Sequence, residues 1–100
     1  MDTSYAPAEF LAEDGKTPVG FDVDIAKALA NMFGLEVVPQ TSNFDSIIPS
    51  IGTKYDIGIS SFTITPERTK SNNMVSYITV GSSNAVKKGN PQSFNPDDVC

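Results

Sequence analysis

Hydroxyls and a guanidinium crowd one short stretch of the chain, Ser60-Ser61-Phe62-Thr63-Ile64-Thr65-Pro66-Glu67-Arg68. Thr65 reads as a helix N-cap, and Pro66 suits the first helical position, where its missing N–H costs nothing. Arg68 then falls in the first turn, where the helix dipole disfavours a cation by a few tenths to about 1 kcal/mol. An anion meeting Arg68 would reverse that balance. Free N–H groups, the hydroxyls of Ser60, Ser61 and Thr63, and the planar fork of Arg68 could together hold one carboxylate. Taken alone, the same residues also read as an exposed arginine on a surface helix after an ordinary serine-rich loop.

The elements around this bend must position it. Tyr55-Asp56-Ile57-Gly58-Ile59 reads as a short buried strand leading into it, and Thr65 to about Asn72 as the helix leading out. Upstream, Glu9-Phe10-Leu11-Ala12 and Thr17-Pro18-Val19-Gly20-Phe21 flank Glu13-Asp14-Gly15-Lys16, a hairpin signal, and Pro18 places that hairpin at a sheet edge or outside the main sheet. A helix is expected from about Asp22 to Phe33, with Asp22 as N-cap and Ile25, Leu29, Met32 and Phe33 on one apolar face. Leu35-Glu36-Val37-Val38 reads as a strand ended by Pro39. Asn43 to Ile51 reads as a second helix, kept short by Pro49. Val75 to Thr79 and Ser83 to Val86 read as extended segments. Strands alternating with helices imply a mainly parallel sheet flanked by helices, in which ligands bind beyond the carboxyl ends of strands. The Ser60–Arg68 bend is such a place.

Composition narrows the function classes. One hundred residues carry seven basic and twelve acidic side chains, a net charge of −5, with no Lys/Arg-rich run, so nucleic acid is not an expected partner. No apolar run approaches the roughly 18 residues of a membrane span. No signal peptide is legible, so the chain is either cytosolic or stripped of a targeting segment. The absence of histidine excludes His-based triads and most zinc sites, and no cofactor or metal is expected. The single cysteine, Cys100, cannot form an internal disulfide.

Five motifs occur in order: Asp2-Thr3-Ser4-Tyr5-Ala6-Pro7-Ala8-Glu9-Phe10, Gly20-Phe21-Asp22-Val23-Asp24, Phe44-Asp45-Ser46-Ile47-Ile48-Pro49, Tyr55-Asp56-Ile57-Gly58 and Thr63-Ile64-Thr65-Pro66-Glu67-Arg68. Together, from residue 2 to about 91, they resemble the polar amino-acid-binding proteins that serve ABC importers as extracytoplasmic solute receptors. The resemblance implies the type II periplasmic-binding-protein fold: two α/β lobes that close on an amino acid. Residues 1–88 would be an incomplete lobe one, ending in the first hinge strand near Ser83–Lys88. Residues 89–100 would be a linker toward a second lobe outside this sequence, and any disulfide partner of Cys100 would lie there. A family strand expected just before Asp2 is also missing.

The same resemblance implies the site. Arg68 would grip the ligand α-carboxylate, aided by the backbone N–H and hydroxyl of Thr63. Ser61, with Ser60 beside it, would meet the α-ammonium, and Tyr5 and Phe44 would line the cleft. Asp2 would lie near the ligand's side chain or ammonium, which hints at a cationic or amide side chain. A buried zwitterion needs paired charges of this kind, because burying either charge alone is expensive. Ala8, Ile78 and Asn84 depart from the family pattern and bear on the side-chain pocket and the hinge.

Plainer roles exist for most of these residues. Tyr5 and Phe44 also read as core aromatics, Asp22 and Asp24 as helix-start residues without a ligand role, Asp45 as a cap for the second helix, and Lys87 and Lys88 as solvated hinge charges. The expected function is non-enzymatic binding, with closed lobes docking on a membrane permease, in the periplasm or on a membrane-tethered lipoprotein. The alternatives are a dehydratase-like enzyme on the same fold, which would need an acid or base among Asp2 and Glu9, or the sensing domain of a receptor. One lobe alone is expected to bind ligand several orders of magnitude more weakly than two. Its exposed sheet edges and uncovered apolar face are expected to favour pairing between copies.

Overall fold

Asp14 and Gly15 make the first tight feature. In the computed structural model, which describes residues 1–98, Asp14 Oδ1 accepts from the N–H groups of Lys16 and Thr17, at 2.9 Å each, and Gly15 takes a φ of 65°. This turn joins β2 (Glu9–Leu11) to β3 (Pro18–Val19), and β1 (Ser4–Tyr5) pairs on the other side of β2. The sheet is antiparallel in the order β1-β2-β3, with Phe10 opposite both Ser4 and Val19. Pro18 therefore sits on an edge strand, as its missing N–H requires.

Gly20 turns β3 directly into helix α1 (Phe21–Met32). Its φ of 124° suits glycine alone, and a Cβ there would lie 2.3 Å from the Ala8 carbonyl oxygen. No side chain caps α1. Instead its first N–H groups reach the preceding backbone, Phe21 to Pro7 O at 3.4 Å and Asp22 to Ala8 O at 2.9 Å. Asp22 is thus the second residue of the helix rather than its N-cap, and its carboxylate points into the protein. The helix buries Asp22, Val23 and Ala26 against the sheet.

Helix α2 (Phe44–Ser50) is capped by Asn43, whose Oδ1 accepts from Asp45 N–H at 3.1 Å; Asp45 itself is not the cap. Pro49 lies within it and α2 ends one residue later, the short helix expected. Helix α3 (Pro66–Ser71) begins as the sequence predicts, with Thr65 Oγ1 accepting from Arg68 N–H at 3.2 Å and Pro66 at the first position. A 3-10 turn spans Pro96–Asp98. Cys100 lies outside the described residues.

The α/β class holds, but the expected mainly parallel sheet does not form among the described residues. Residues 35–38, 55–59, 75–79 and 83–86 belong to no sheet; an isolated bridge joins Ile51 to Tyr55. A parallel ladder needs a neighbour alongside, and beside residues 40–42 that neighbour is Met1. Its amino group donates to Gln40 O at 3.1 Å and its carbonyl accepts from Ser42 N–H at 2.9 Å, the pattern of a single parallel bridge. Asp2 N–H then donates to Ser60 Oγ at 2.9 Å, so the first two residues link residues 40–42 to the Ser60 bend. The sense of the pairing is the parallel one expected, but its length is one residue.

Without that ladder Leu35, Val38, Ile57, Val75 and Val80 stay exposed, and the apolar core reduces to Ala8, Val23, Ala26 and Ile47. The radius of gyration, 17.1 Å, exceeds the ~13 Å of a compact domain of this length. No helix among the described residues is long and apolar enough to cross a membrane.

Candidate functional site

Arg68 is held at the start of α3 by two kinds of contact. Its Nη1 donates to Thr63 O at 2.8 Å, closing the bend on itself. Its guanidinium carbon lies 5.7 Å from the centroid of the Phe44 ring and 5.5 Å from that of Phe62, and the two rings are 4.5 Å apart. Such stacking fixes the plane of the guanidinium and contributes on the order of 0.5–1 kcal/mol at a partly exposed site. A guanidinium has five N–H donors. Among the described residues one of these is bonded, which leaves a planar fork for a carboxylate. Phe44, Asp45, Ile48, Pro49, Phe62 and Arg68 line a cavity of about 270 Å³. A larger, open hollow of about 440 Å³ between α1 and residues 35–37 lies among other residues and shares none of these groups.

Ser60 and Ser61 face inward. Ser60 is 3% exposed; its hydroxyl donates to Glu9 Oε1 and accepts from Asp2 N–H. Ser61 has a φ of 48°, a left-handed conformation uncommon for a residue with a Cβ. Its N–H donates to the Tyr77 hydroxyl at 3.0 Å and its Oγ to Asp22 Oδ2 at 3.0 Å, while Tyr77 Oη donates to Asp22 Oδ1 at 2.7 Å. Burial and the Asp22 carboxylate push the Tyr77 hydroxyl up to about 12.

Glu9 and Asp22 are both fully buried, and Glu9 Oε2 has no hydrogen-bond partner among the described residues. Burial, and then the neighbouring Asp22 carboxyl, push Glu9 up to about 8, with the Ser60 hydrogen bond opposing. The shift favours the protonated form of Glu9. A proton on Oε2 turns an orphaned acceptor into a donor beside Asp22.

Asp2 joins the two halves of the cluster. Its Oδ1 accepts from Ser4 N–H at 3.1 Å and Ser4 Oγ at 2.6 Å, and its Oδ2 from Phe44 N–H at 3.1 Å. The Ser4 hydroxyl and these N–H groups hold its carboxyl below the usual range. Tyr5 is 63% exposed, and its hydroxyl makes no hydrogen bond among the described residues. The fold thus brings Phe44 and Arg68 to the cavity, ties Thr63 to it only through the bond from Arg68 to its carbonyl, and turns the side chains of Ser60 and Ser61 toward the interior. Three participants, Phe62, Asp22 and Tyr77, were not marked from the sequence as part of the site, and Glu9 was weighed only as an acid or base near the cleft. Phe62 sits inside the hydroxyl-rich run, so its nearness to Arg68 was a usable signal. For Asp22 and Tyr77, distant from the bend in sequence, and for the bond between Glu9 and Ser60, no local signal existed.

The chain belongs to the bacterial extracellular solute-binding proteins, family 3, whose profile matches residues 1–99. It is 33% identical over 98 residues to the arginine-binding protein ArgT of Corynebacterium glutamicum, covering 96% of this chain and 32% of that protein. It is 32% identical over 100 residues to the L-cystine-binding protein TcyJ of Escherichia coli, covering 98% of this chain and 37% of that protein. Among solved structures it is similar to the arginine-bound form of domain 1 from TmArgBP, with a TM-score of 0.62 and 45% identity over 69% of this chain and 55% of that one. The chain spans about a third of the length of these curated relatives. The likeness bears out the type II periplasmic-binding-protein lobe expected from the motifs. The matched proteins are solute-binding proteins, two of them named for an amino acid, as the motifs implied.

Proposed function

We propose that this chain is the lobe-one portion of an extracytoplasmic receptor that binds a cationic amino acid and delivers it to the permease of an ABC importer. Residues 1–88 form the ligand-facing part and 89–100 lead toward a second lobe, in a periplasmic or membrane-tethered protein. The observation that carries this reading is the guanidinium of Arg68, oriented by Phe44, Phe62 and Thr63 O at the edge of a cavity, with N–H donors to spare. In this reading Arg68 and the Thr63 hydroxyl and N–H take the α-carboxylate. The Ser61 carbonyl, which accepts no hydrogen bond among the described residues, takes the α-ammonium. Arginine is the first ligand to test, because relatives over most of this chain's length are arginine-binding proteins.

An enzyme on the same fold is less well supported. Of the two acidic groups considered for acid–base work, Glu9 is sealed in the interior and the Asp2 carboxylate is engaged by Ser4 and Phe44. The arginine-bound domain 1 of TmArgBP makes it reasonable to test the chain by itself. Thermal-shift titration with the twenty L-amino acids, with Arg68→Ala in parallel, tests the reading. A rise in melting temperature with cationic amino acids, lost in Arg68→Ala, is expected. An equal response of the variant would remove Arg68 from the site.

A further inference from the structure

We propose that Glu9, Asp22 and Tyr77 are positioning residues, a polar brace that is buried at Glu9 and Asp22 and reaches the surface at Tyr77, and that holds the Ser60–Ser61 bend in its ligand-binding shape. The inference rests on the receptor reading above, since the bend is the part of that site nearest the ligand's ammonium.

The bend does not hold this shape by its own preference. Ser61 at φ 48° is in a region that costs an L-residue without compensating contacts. Three hydrogen bonds supply the compensation. The Ser61 N–H and Oγ are bound by Tyr77 and Asp22, and Tyr77 is itself oriented by its bond to Asp22, so each member fixes the next. Ser60 is pinned from the other side by Glu9 Oε1 and by Asp2 N–H. The brace draws on segments far apart in sequence: β2 gives Glu9, α1 gives Asp22, and the extended stretch after α3 gives Tyr77.

Two consequences follow for binding. With its N–H and hydroxyl both committed, Ser61 offers the ligand its carbonyl, aimed by the left-handed turn. An acceptor of that kind selects a protonated amine. Removing one brace member leaves Ser61 free to relax toward the ordinary negative-φ region, which turns the carbonyl away.

The test compares Tyr77→Phe with a control of ordinary structural cost, Ala26→Gly, on the buried face of α1 and outside the brace. The readouts are L-arginine affinity by calorimetry, melting temperature, and the Ser61 amide resonance with its HN–Hα coupling, which reports φ. Tyr77→Phe should weaken L-arginine binding about tenfold and shift the Ser61 resonance and coupling. Ala26→Gly should lower the melting temperature at least as much while leaving affinity and Ser61 in place. Unchanged affinity and an unmoved Ser61 in Tyr77→Phe would overturn the brace. If the unmodified protein binds neither L-arginine nor any other amino acid, the receptor reading fails, and the Ser61 resonance alone decides: movement confined to the bend upholds the brace, and none overturns it.

Discussion

Replacing Glu9 by glutamine should change how stability depends on pH more than it changes stability itself. Glu9 is raised from 4.5 to about 8 in the folded protein, so between these values the folded state holds a proton that the unfolded chain has released. Stability conferred by that proton is complete below about 4.5 and is lost as pH rises toward 8. One full proton of difference gives a slope of about 1.4 kcal/mol per pH unit. Coupling to the Asp22 carboxyl and relaxation around the pair spread the titration, so a loss of about 1–2 kcal/mol between about pH 5 and pH 8 is expected. Asp2 and Asp14 act in the opposite sense: their lowered carboxyls lend stability that is lost only as pH falls below the ordinary aspartate range, outside this window. A glutamine at position 9 keeps an acceptor for Ser60 and presents an N–H toward Asp22, as the protonated acid does. The Met1 amine, lowered from 8.0 by burial, makes stability rise with pH near the top of this range in both proteins, so urea unfolding should show the wild-type curve falling relative to the Glu9→Gln curve, the two crossing as pH rises. Parallel curves would mean that Glu9 is ionised at neutral pH and that the proposed proton is absent.

Gly20→Ala should destabilise the protein by about 3 kcal/mol or more, because both the φ of 124° and the Ala8 carbonyl 2.3 Å from the new Cβ oppose it; equilibrium unfolding measures this. Thr65→Ala removes the cap of α3 and should cost about 1 kcal/mol in the same assay, with the loss of local order seen by hydrogen exchange at Arg68. The exposed Leu35, Val38, Ile57, Val75 and Val80 should drive association between copies as concentration rises, and a monodisperse monomer at high concentration in sedimentation would contradict that.

The sequence was most informative where structure is local. Thr65-Pro66 marked the start of α3, Asp14-Gly15 the hairpin, and the apolar spacing around Ile25 helix α1, each to within a residue or two. Leu35–Val38 and Tyr55–Ile59 have the side chains of strands, but a strand exists only where another backbone lies beside it, and composition carries no record of that neighbour. The candidate site divides the same way. Ser60, Ser61, Thr63 and Arg68 are contiguous and share a legible chemistry. Asp22 looked like a helix-start residue because an acid in a first turn satisfies the dipole whichever way it points. Its inward orientation depends on Tyr77, 55 residues away. Asp2 was legible as a residue near the cleft, whereas its bond to the Phe44 N–H depends on where α2 begins.

If Arg68 clamps a ligand carboxylate, the protein must tell L-arginine from agmatine, its decarboxylated counterpart, and calorimetry on the wild-type protein and on Arg68→Ala compares the two. The wild-type protein should bind L-arginine, agmatine should bind far more weakly or not at all, and Arg68→Ala should no longer distinguish them. Equal binding of agmatine and L-arginine by the wild-type protein would contradict the clamp, because the fork at Arg68 would then have no carboxylate to hold.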